Sequence, residues 1–218
     1  MNKELGIKVT LKAAITLDGK IATASGHSKW ITGEAARQKV HELRNQNDAV
    51  LVGINTVIAD DPELTVRGIT NGNSPVRIVL DSMARIPENS KIFKSDGTPV
   101  IIFTGNKALS RKWPNLKDIT ILTSPTSTPE IKWILSELQN LGLKSLLVEG
   151  GSFINSSFLR SGAVDRILLF IGAKIIGGQD ALSWCGELGV DQLDQAIQID
   201  ISSITSVGED WLIDAKIK

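Results

Sequence analysis

The sequence has little that points to metal, disulfide or polyanion chemistry. It has a single cysteine, Cys185, and two histidines, and its 24 Lys and Arg balance 24 Asp and Glu. One thiol closes no intrachain disulfide, and no Cys/His cluster has zinc spacing. Cys185 reads as a small buried hydrophobe. A net charge of zero gives no reason to expect a nucleic-acid partner, although a local phosphate site needs only a few donors. No apolar run approaches the ~20 residues of a membrane-spanning helix. The opening MNKELGIKVTLK lacks the long apolar stretch of a signal peptide. The expected compartment is the cytoplasm.

What is present is an ordinary globular composition, 42% hydrophobic and 22% charged over 218 residues, enough to bury a substantial core. Val9, Leu11, Ala13 and Ile15 recur at period two and predict a strand. Thr32 is a candidate cap for a helix over GEAARQKVHELRN. Nearly continuous apolar runs at 48–53, 76–81, 99–103 and 118–122 predict strands covered on both faces, and 145–149 and 164–172 read as further strands. A helix is expected from Thr128-Pro129 to Gly142, and a short one after Gly150-Gly151. Segments near 197–201 and 211–217 read as terminal antiparallel strands. Polar Asp214 and Lys216 leave the facing of the last one undecided. The stretches 104–117 and 124–129 read as connections. This order predicts one α/β domain over 1–218, with a mostly parallel mixed sheet flanked by helices.

In open α/β sheets, ligands gather beyond the carboxyl ends of strands. Asn55-Thr56, Asp81-Ser82, Thr104-Gly105 and Glu149-Gly150-Gly151 fall there. LLVEGGSFINSS is the best anion-site candidate. Its glycines allow close approach, the helix start offers N–H groups, and Ser152, Asn155 and Ser156 add donors. The alternative is a glycine turn with serines capping a helix. The pattern is neither GxGxxG nor a P-loop. Arg37, His41 and Arg44 share a helix face by spacing. They are either cations favouring the helix C-terminus or, for Arg44, a fork for phosphate oxygens. Neither histidine carries a catalytic signal by itself, and His27 reads as a loop residue.

VGINTVIADDPELTVRG (52–68) also stays open. Asp61-Pro62 can end a short helix, Asp60 can be a surface acid, and Arg67 can pair with either acid. Equally, Asn55, Thr56, Asp60, Leu64 and Arg67 can line a cleft. The adjacent acids are too few for a metal site, and none is expected.

The motifs LKAAITLDGKIA, ASGHSKWITGEAARQKVHELRNQNDAVLVGINTVIADDPELTVR, RIVLDS, LLVEGGSFINSSFL and FIGAKIIGG, in this order, resemble the reductase domain of riboflavin-biosynthesis proteins. The resemblance covers nearly the whole chain. It implies a dihydrofolate-reductase-like fold and NADPH-dependent reduction of 5-amino-6-(5-phosphoribosylamino)uracil at the ribosyl C1′ imine. Alternatives are the undeaminated 2,5-diamino pyrimidinone phosphate and a folate or pteridine substrate. It implies that Ser28, Arg44, Leu64, Arg67 and Glu149 meet the substrate. Ala14, Trp30, Thr56, Asp60, Ser82 and the run Gly151, Ser152, Phe153, Ile154, Asn155, Ser156 and Ser157 would meet NADPH. Asp60 and Glu149 are the candidates for direct participation in the chemistry. Asp60 remains an orienting group, a proton-transfer group or a scaffold. Two departures stand out. Ala173 occupies a position that is often proline in relatives. The deaminase motif that often precedes this domain is absent, so deamination is expected on another chain or a missing domain. A homodimer is also implied.

Overall fold

The computed structural model describes residues 6–94, 97–108 and 118–218. Its secondary structure forms an α/β fold with a mostly parallel mixed sheet and flanking helices. The connection expected over 104–117 falls mostly outside the described residues. Contacts group the chain into two compact units, with boundaries after Ile7, Val40 and Leu147.

The unit centred on His41–Leu147 carries strands β2 (Ala49–Gly53), β3 (Val76–Leu80), β4 (Val100–Thr104) and β5 (Ile119–Thr123). Most of β6 (Ser145–Val148) also belongs to it. Their order is β5-β4-β3-β2-β6, and the β2–β3, β3–β4 and β4–β5 pairs are parallel. Every residue of β2 and β4 is buried, as an unbroken apolar strand requires when both faces are covered. Between β2 and β3 lies α2 (Ile54–Asp60), which buries Ile54 and Val57. Helix α3 (Ile131–Asn140) buries Ile134, Leu135 and Leu138 at helical spacing. It starts later than Thr128-Pro129 suggests, with Glu130 at its N-cap; Gly142 lies just past its end at φ 81°.

The second unit, Lys8–Val40 with Val148–Lys218, contains β1 (Lys8–Thr16), β7 (Arg166–Gly172), β8 (Ile199–Val207) and β9 (Asp210–Ile217). Their order is β1-β7-β9-β8. β1 and β7 are parallel, and the last two strands form an antiparallel hairpin. Helix α1 (Glu34–Asn45) straddles the boundary after Val40. Gly33, not Thr32, precedes its first residue. The Gly33 N–H donates to Asp210 Oδ2 at 2.7 Å. Helix α4 is Ser152–Arg160.

The undecided facing of β9 has a cause. Asp214 Oδ1 and Oδ2 accept from Arg166 Nε and Nη2 at 2.8 and 2.6 Å. This two-pronged bond holds the Asp214 carboxyl below the usual carboxylate range and raises the Arg166 guanidinium. Cys185 is half-buried, not fully buried, and burial pushes its thiol up. Among the described residues no helix is long and apolar enough to cross a membrane.

Candidate functional site

The stretch after β2 becomes α2 and then a pinned bend. The helix ends at Asp60, which is half-buried, and Thr56 is half-buried within it. Asp61 then adopts φ 44°, and its N–H donates to Val57 O at 3.0 Å. Leu64 takes φ 55°. A left-handed conformation costs an L-residue about 1–2 kcal/mol, so surrounding contacts must hold it.

They do. Asp61 Oδ1 accepts the Lys91 N–H at 2.7 Å, and the Lys91 ammonium lies 3.5 Å from Oδ2. The Leu64 side chain is buried. Val66 N–H donates to Ser74 Oγ at 3.0 Å. Thr65 O accepts Arg44 Nη1 at 3.2 Å and lies 3.1 Å from His41 Nδ1. The same Nδ1 is 3.3 Å from the Arg67 N atom. Helix α1 thus fixes the residues around Arg67.

The exposed Arg67 side chain lies 3.5 Å from Glu63, not against Asp60 or Asp61. Asp61 is engaged by Lys91, and Glu63 stands four residues before Arg67. Of the three basic residues expected on one face of α1, His41 and Arg44 meet at Thr65. Arg37 instead donates to Thr32 O at 2.9 Å and stacks its guanidinium over Trp30, 4.6 Å from the ring centroid.

Ser82, half-buried after β3, accepts the Gly105 N–H on its carbonyl at 3.0 Å. Asp81 beside it is fully buried. Its Oδ2 accepts the Ile86 N–H at 2.8 Å, while Oδ1 has no partner. A shallow polar hollow of about 480 Å³ is lined by Thr65, Val66, Gly72, Asn73, Ser74, Gly97 and Thr98. None of the predicted site residues lines it.

In the second unit, Glu149 is half-buried and directly precedes the glycine pair. Neither glycine has positive φ. A Cβ on Gly150 would stand 2.5 Å from Ile154 Cβ, whereas one on Gly151 would meet nothing within 4 Å. Gly151 precedes α4 in an extended conformation, and no side chain caps the helix. Its start therefore keeps first-turn N–H groups that no side chain satisfies.

Two of the three side-chain donors expected here, Asn155 and Ser156, are spent inside the protein. Asn155 Nδ2 donates to Trp184 O at 2.7 Å. The Ser156 hydroxyl faces Ser152 O and Phe153 O at 3.0 and 3.1 Å, and Ser157 donates to Phe153 O at 2.8 Å. Serine hydroxyls within a helix return to carbonyls a turn back, a competition that residue type alone does not reveal. Phe153 is 68% exposed, and Ile154 and Ser152 are half-buried.

Two observations fit this corner to a phosphate-bearing dinucleotide. The space at Gly151 is open, and the first turn of α4 carries N–H groups that no side chain caps. The residues that would hold such a group are the main chain of Gly151–Ile154, with Phe153 exposed beside it.

Trp30 is 63% exposed, and its carbonyl accepts Lys174 Nζ. Ser28 is half-buried two residues earlier, and half-buried Ala14 lies opposite Phe170 in the β1–β7 register. Sequence reasoning passed over Lys12, a half-buried cation in the middle of β1 with Nζ 5.7 Å from the Phe170 ring centroid. Its signal was present: a lysine at the centre of an otherwise apolar strand. It also passed over His41 as a tie to Arg67, which no local pattern announces. In the GAKIIGG corner, Asp18 accepts the Gly177 and Ile176 N–H groups at 2.7 and 3.2 Å. The Thr16 hydroxyl and these amides lower the Asp18 carboxyl to about 2.

Residues 7–213 match the RibD C-terminal domain family. The chain is 39% identical over 213 residues to the 2,5-diamino-6-ribosylamino-4(3H)-pyrimidinone 5′-phosphate reductase of Methanothermobacter thermautotrophicus. That match covers 96% of this chain and 98% of the relative. It is 40% identical over 205 residues to the riboflavin biosynthesis protein RibD of Aquifex aeolicus, covering 94% of this chain and 56% of that one. Among solved structures, the diaminohydroxyphosphoribosylaminopyrimidine deaminase/5-amino-6-(5-phosphoribosylamino)uracil reductase of Thermotoga maritima superimposes with a TM-score of 0.84 at 33% identity. There the match covers 97% of this chain and 57% of that one. The chain thus spans nearly all of one relative and little more than half of the other two. The motifs spread from β1 to β7, the parallel sheet and these matches agree, and the chain belongs to the RibD C-terminal domain family.

Proposed function

We propose that the chain is an NADPH-dependent reductase of 5-amino-6-(5-phosphoribosylamino)uracil, acting in riboflavin biosynthesis. Hydride delivered to C1′ of the ring-opened, imine form of the sugar gives the ribitylamino product, and a proton completes the amine. NADPH, when bound, supplies that hydride. The observation that carries the reading is the arginine-bearing bend. Arg44 is tied to Thr65 O, two residues before Arg67, on a segment whose backbone is fixed. Guanidinium forks suit a phosphate dianion.

The uncapped start of α4 receives a cofactor phosphate on its N–H groups. Trp30, held by Arg37 and Lys174, offers a flat wall to the cofactor. Ser28 and Leu64 complete the substrate contacts. Glu149 accepts hydrogen bonds from sugar hydroxyls or ring N–H groups. Ala14, Thr56 and Ser82 belong to the cofactor side, and Asp60 orients a donor near the reacting carbon. These residues bind and align the partners, which is the larger part of catalysis when the cofactor carries the reactive group.

A second reading has its own support. The Methanothermobacter relative, matched over 98% of its length, is named for the undeaminated 2,5-diamino substrate. Turnover of the deaminated and undeaminated phosphates side by side decides between them. A kcat/KM at least tenfold higher for the uracil form upholds the first reading, and the reverse order upholds the second.

The proposal includes a cytoplasmic homodimer. Strand β8 ends its sheet and is exposed along nearly its whole length, presenting Ile199, Ile201 and Ile204, while Trp211 is exposed on β9. An open apolar edge of this kind invites pairing with a second copy. Light scattering at twice the chain mass supports it, and the monomer mass refutes it.

A further inference from the structure

We propose that His41 is a positioning residue for Arg67, and that it works through the protonation state of one nitrogen. This rests on the reading of Arg67 as a substrate ligand. The Nδ1 atom lies 3.1 Å from Thr65 O and 3.3 Å from Arg67 N. These two contacts demand opposite things. A carbonyl needs Nδ1 to carry a proton, whereas an amide N–H needs the Nδ1 lone pair. One nitrogen cannot satisfy both at once.

The surroundings say which contact matters. Thr65 O also accepts Arg44 Nη1 at 3.2 Å, and a guanidinium always carries its protons, so that carbonyl is served whatever the imidazole does. The contribution specific to His41 is acceptance from the Arg67 N–H. The working form is therefore the neutral tautomer with its proton on Nε2. Charged groups near it include Arg44 on its own helix, which shares Thr65 O with it, and, on the facing segment, Arg67 with Glu63, which also lies 3.5 Å from Lys94 Nζ. Protonation puts hydrogen on Nδ1, turns it toward Thr65 O and releases the Arg67 amide. Leu64, three residues earlier, already sits at φ 55°. A segment held in that conformation by outside contacts loses definition when one contact goes.

Two measurements test this. The first needs no substrate. Nitrogen-15 NMR reads the His41 tautomer and the Arg67 amide shift across the range in which imidazole titrates, around pH 6.5. The expected result is proton on Nε2 at pH 8, with the Arg67 amide moving on the same titration as His41. Proton on Nδ1 at pH 8, or an Arg67 amide indifferent to His41, overturns the proposal.

The second measurement is kinetic. His41→Leu should raise KM for the ribosylamino-pyrimidine phosphate about five- to tenfold, the size of one lost hydrogen bond. Its kcat should change less than about twofold. His41→Asn, which offers both an acceptor and a donor near Nδ1, should recover most of the loss. The ratio of wild-type KM to that of His41→Asn should rise as pH falls through the imidazole range. The substrate's own phosphate titration cancels in that ratio. A flat ratio, or equal KM for the Leu and Asn variants, contradicts the proposal. If the NMR coupling holds but no ribosylamino phosphate is reduced, the functional reading fails and the His41–Arg67 coupling stands.

Discussion

Between the bend at 61–67 and the turn at 149–152, unusual backbone sits where the residue types would not suggest it. The glycine pair invites the expectation of unusual dihedrals, yet both glycines keep ordinary negative φ. Gly150 is there because Ile154 leaves no room for a Cβ, whereas nothing crowds Gly151. The unusual dihedrals belong to Asp61 and Leu64, which are not glycine. The bend is held by ties from distant residues, including Lys91, Arg44 and His41. The turn has no side-chain cap. One region is held by side-chain ties from distant residues; the other keeps first-turn main-chain groups that no side chain caps.

The largest expected effect breaks the fixed region at its charges. Arg44→Ala or Arg67→Ala should lower kcat/KM for the phosphate substrate about 10- to 100-fold, the range for a lost charge-assisted hydrogen bond. Arg44→Ala should be the worse because it also frees Thr65 O. Steady-state kinetics check this, and wild-type values for both variants would remove the phosphate clamp.

Next come the two glycines. Gly150→Ala should destabilise the protein by about 1–3 kcal/mol through overpacking on Ile154. Gly151→Ala should leave the urea midpoint nearly unchanged while weakening cofactor binding by calorimetry. Equal loss of stability in both would erase the distinction between a packing glycine and an access glycine.

These predictions rest on features that the sequence displayed unevenly. Near-continuous apolar runs at β2 and β4 are strong signals because burial on both faces leaves no other pattern. The end of α2 at Asp60-Asp61-Pro62 was visible as turn chemistry. The burial of Asn155 and Ser156 was not, because their partners are Trp184 and the helix's own carbonyls. The His41–Arg67 contact spans 26 residues, and no local period encodes it. Arg166 and Asp214 are 48 residues apart, and only the β7–β9 register aligns their strands.

A smaller effect sharpens the bend itself. Asp61→Ala removes the acceptor for the Lys91 N–H and puts alanine at φ 44°, so a loss of about 1–2 kcal/mol is expected by denaturant titration. Asp61→Asn keeps an acceptor oxygen and a residue tolerant of this conformation, and should recover most of it.

The smallest effect lies at Asp18. Its carboxyl is held at about 2, against a reference of 3.8 for the unfolded chain. A depressed acid contributes stability that is complete above the unfolded value and is lost as pH falls from about 4 toward 2. Acid unfolding of Asp18→Asn should therefore show a flatter pH dependence in that window than the wild type, with the variant less stable at pH 7 and the gap closing as pH falls toward 2.

The most direct test of the central claim follows the hydride. With NADPH deuterated at the transferring position of C4, the product of the ribosylamino-pyrimidine phosphate should carry one deuterium on the ribityl C1′, by mass spectrometry. Product without deuterium at C1′, or oxidation of the labelled cofactor with dihydrofolate and not with the ribosylamino phosphate, would contradict it.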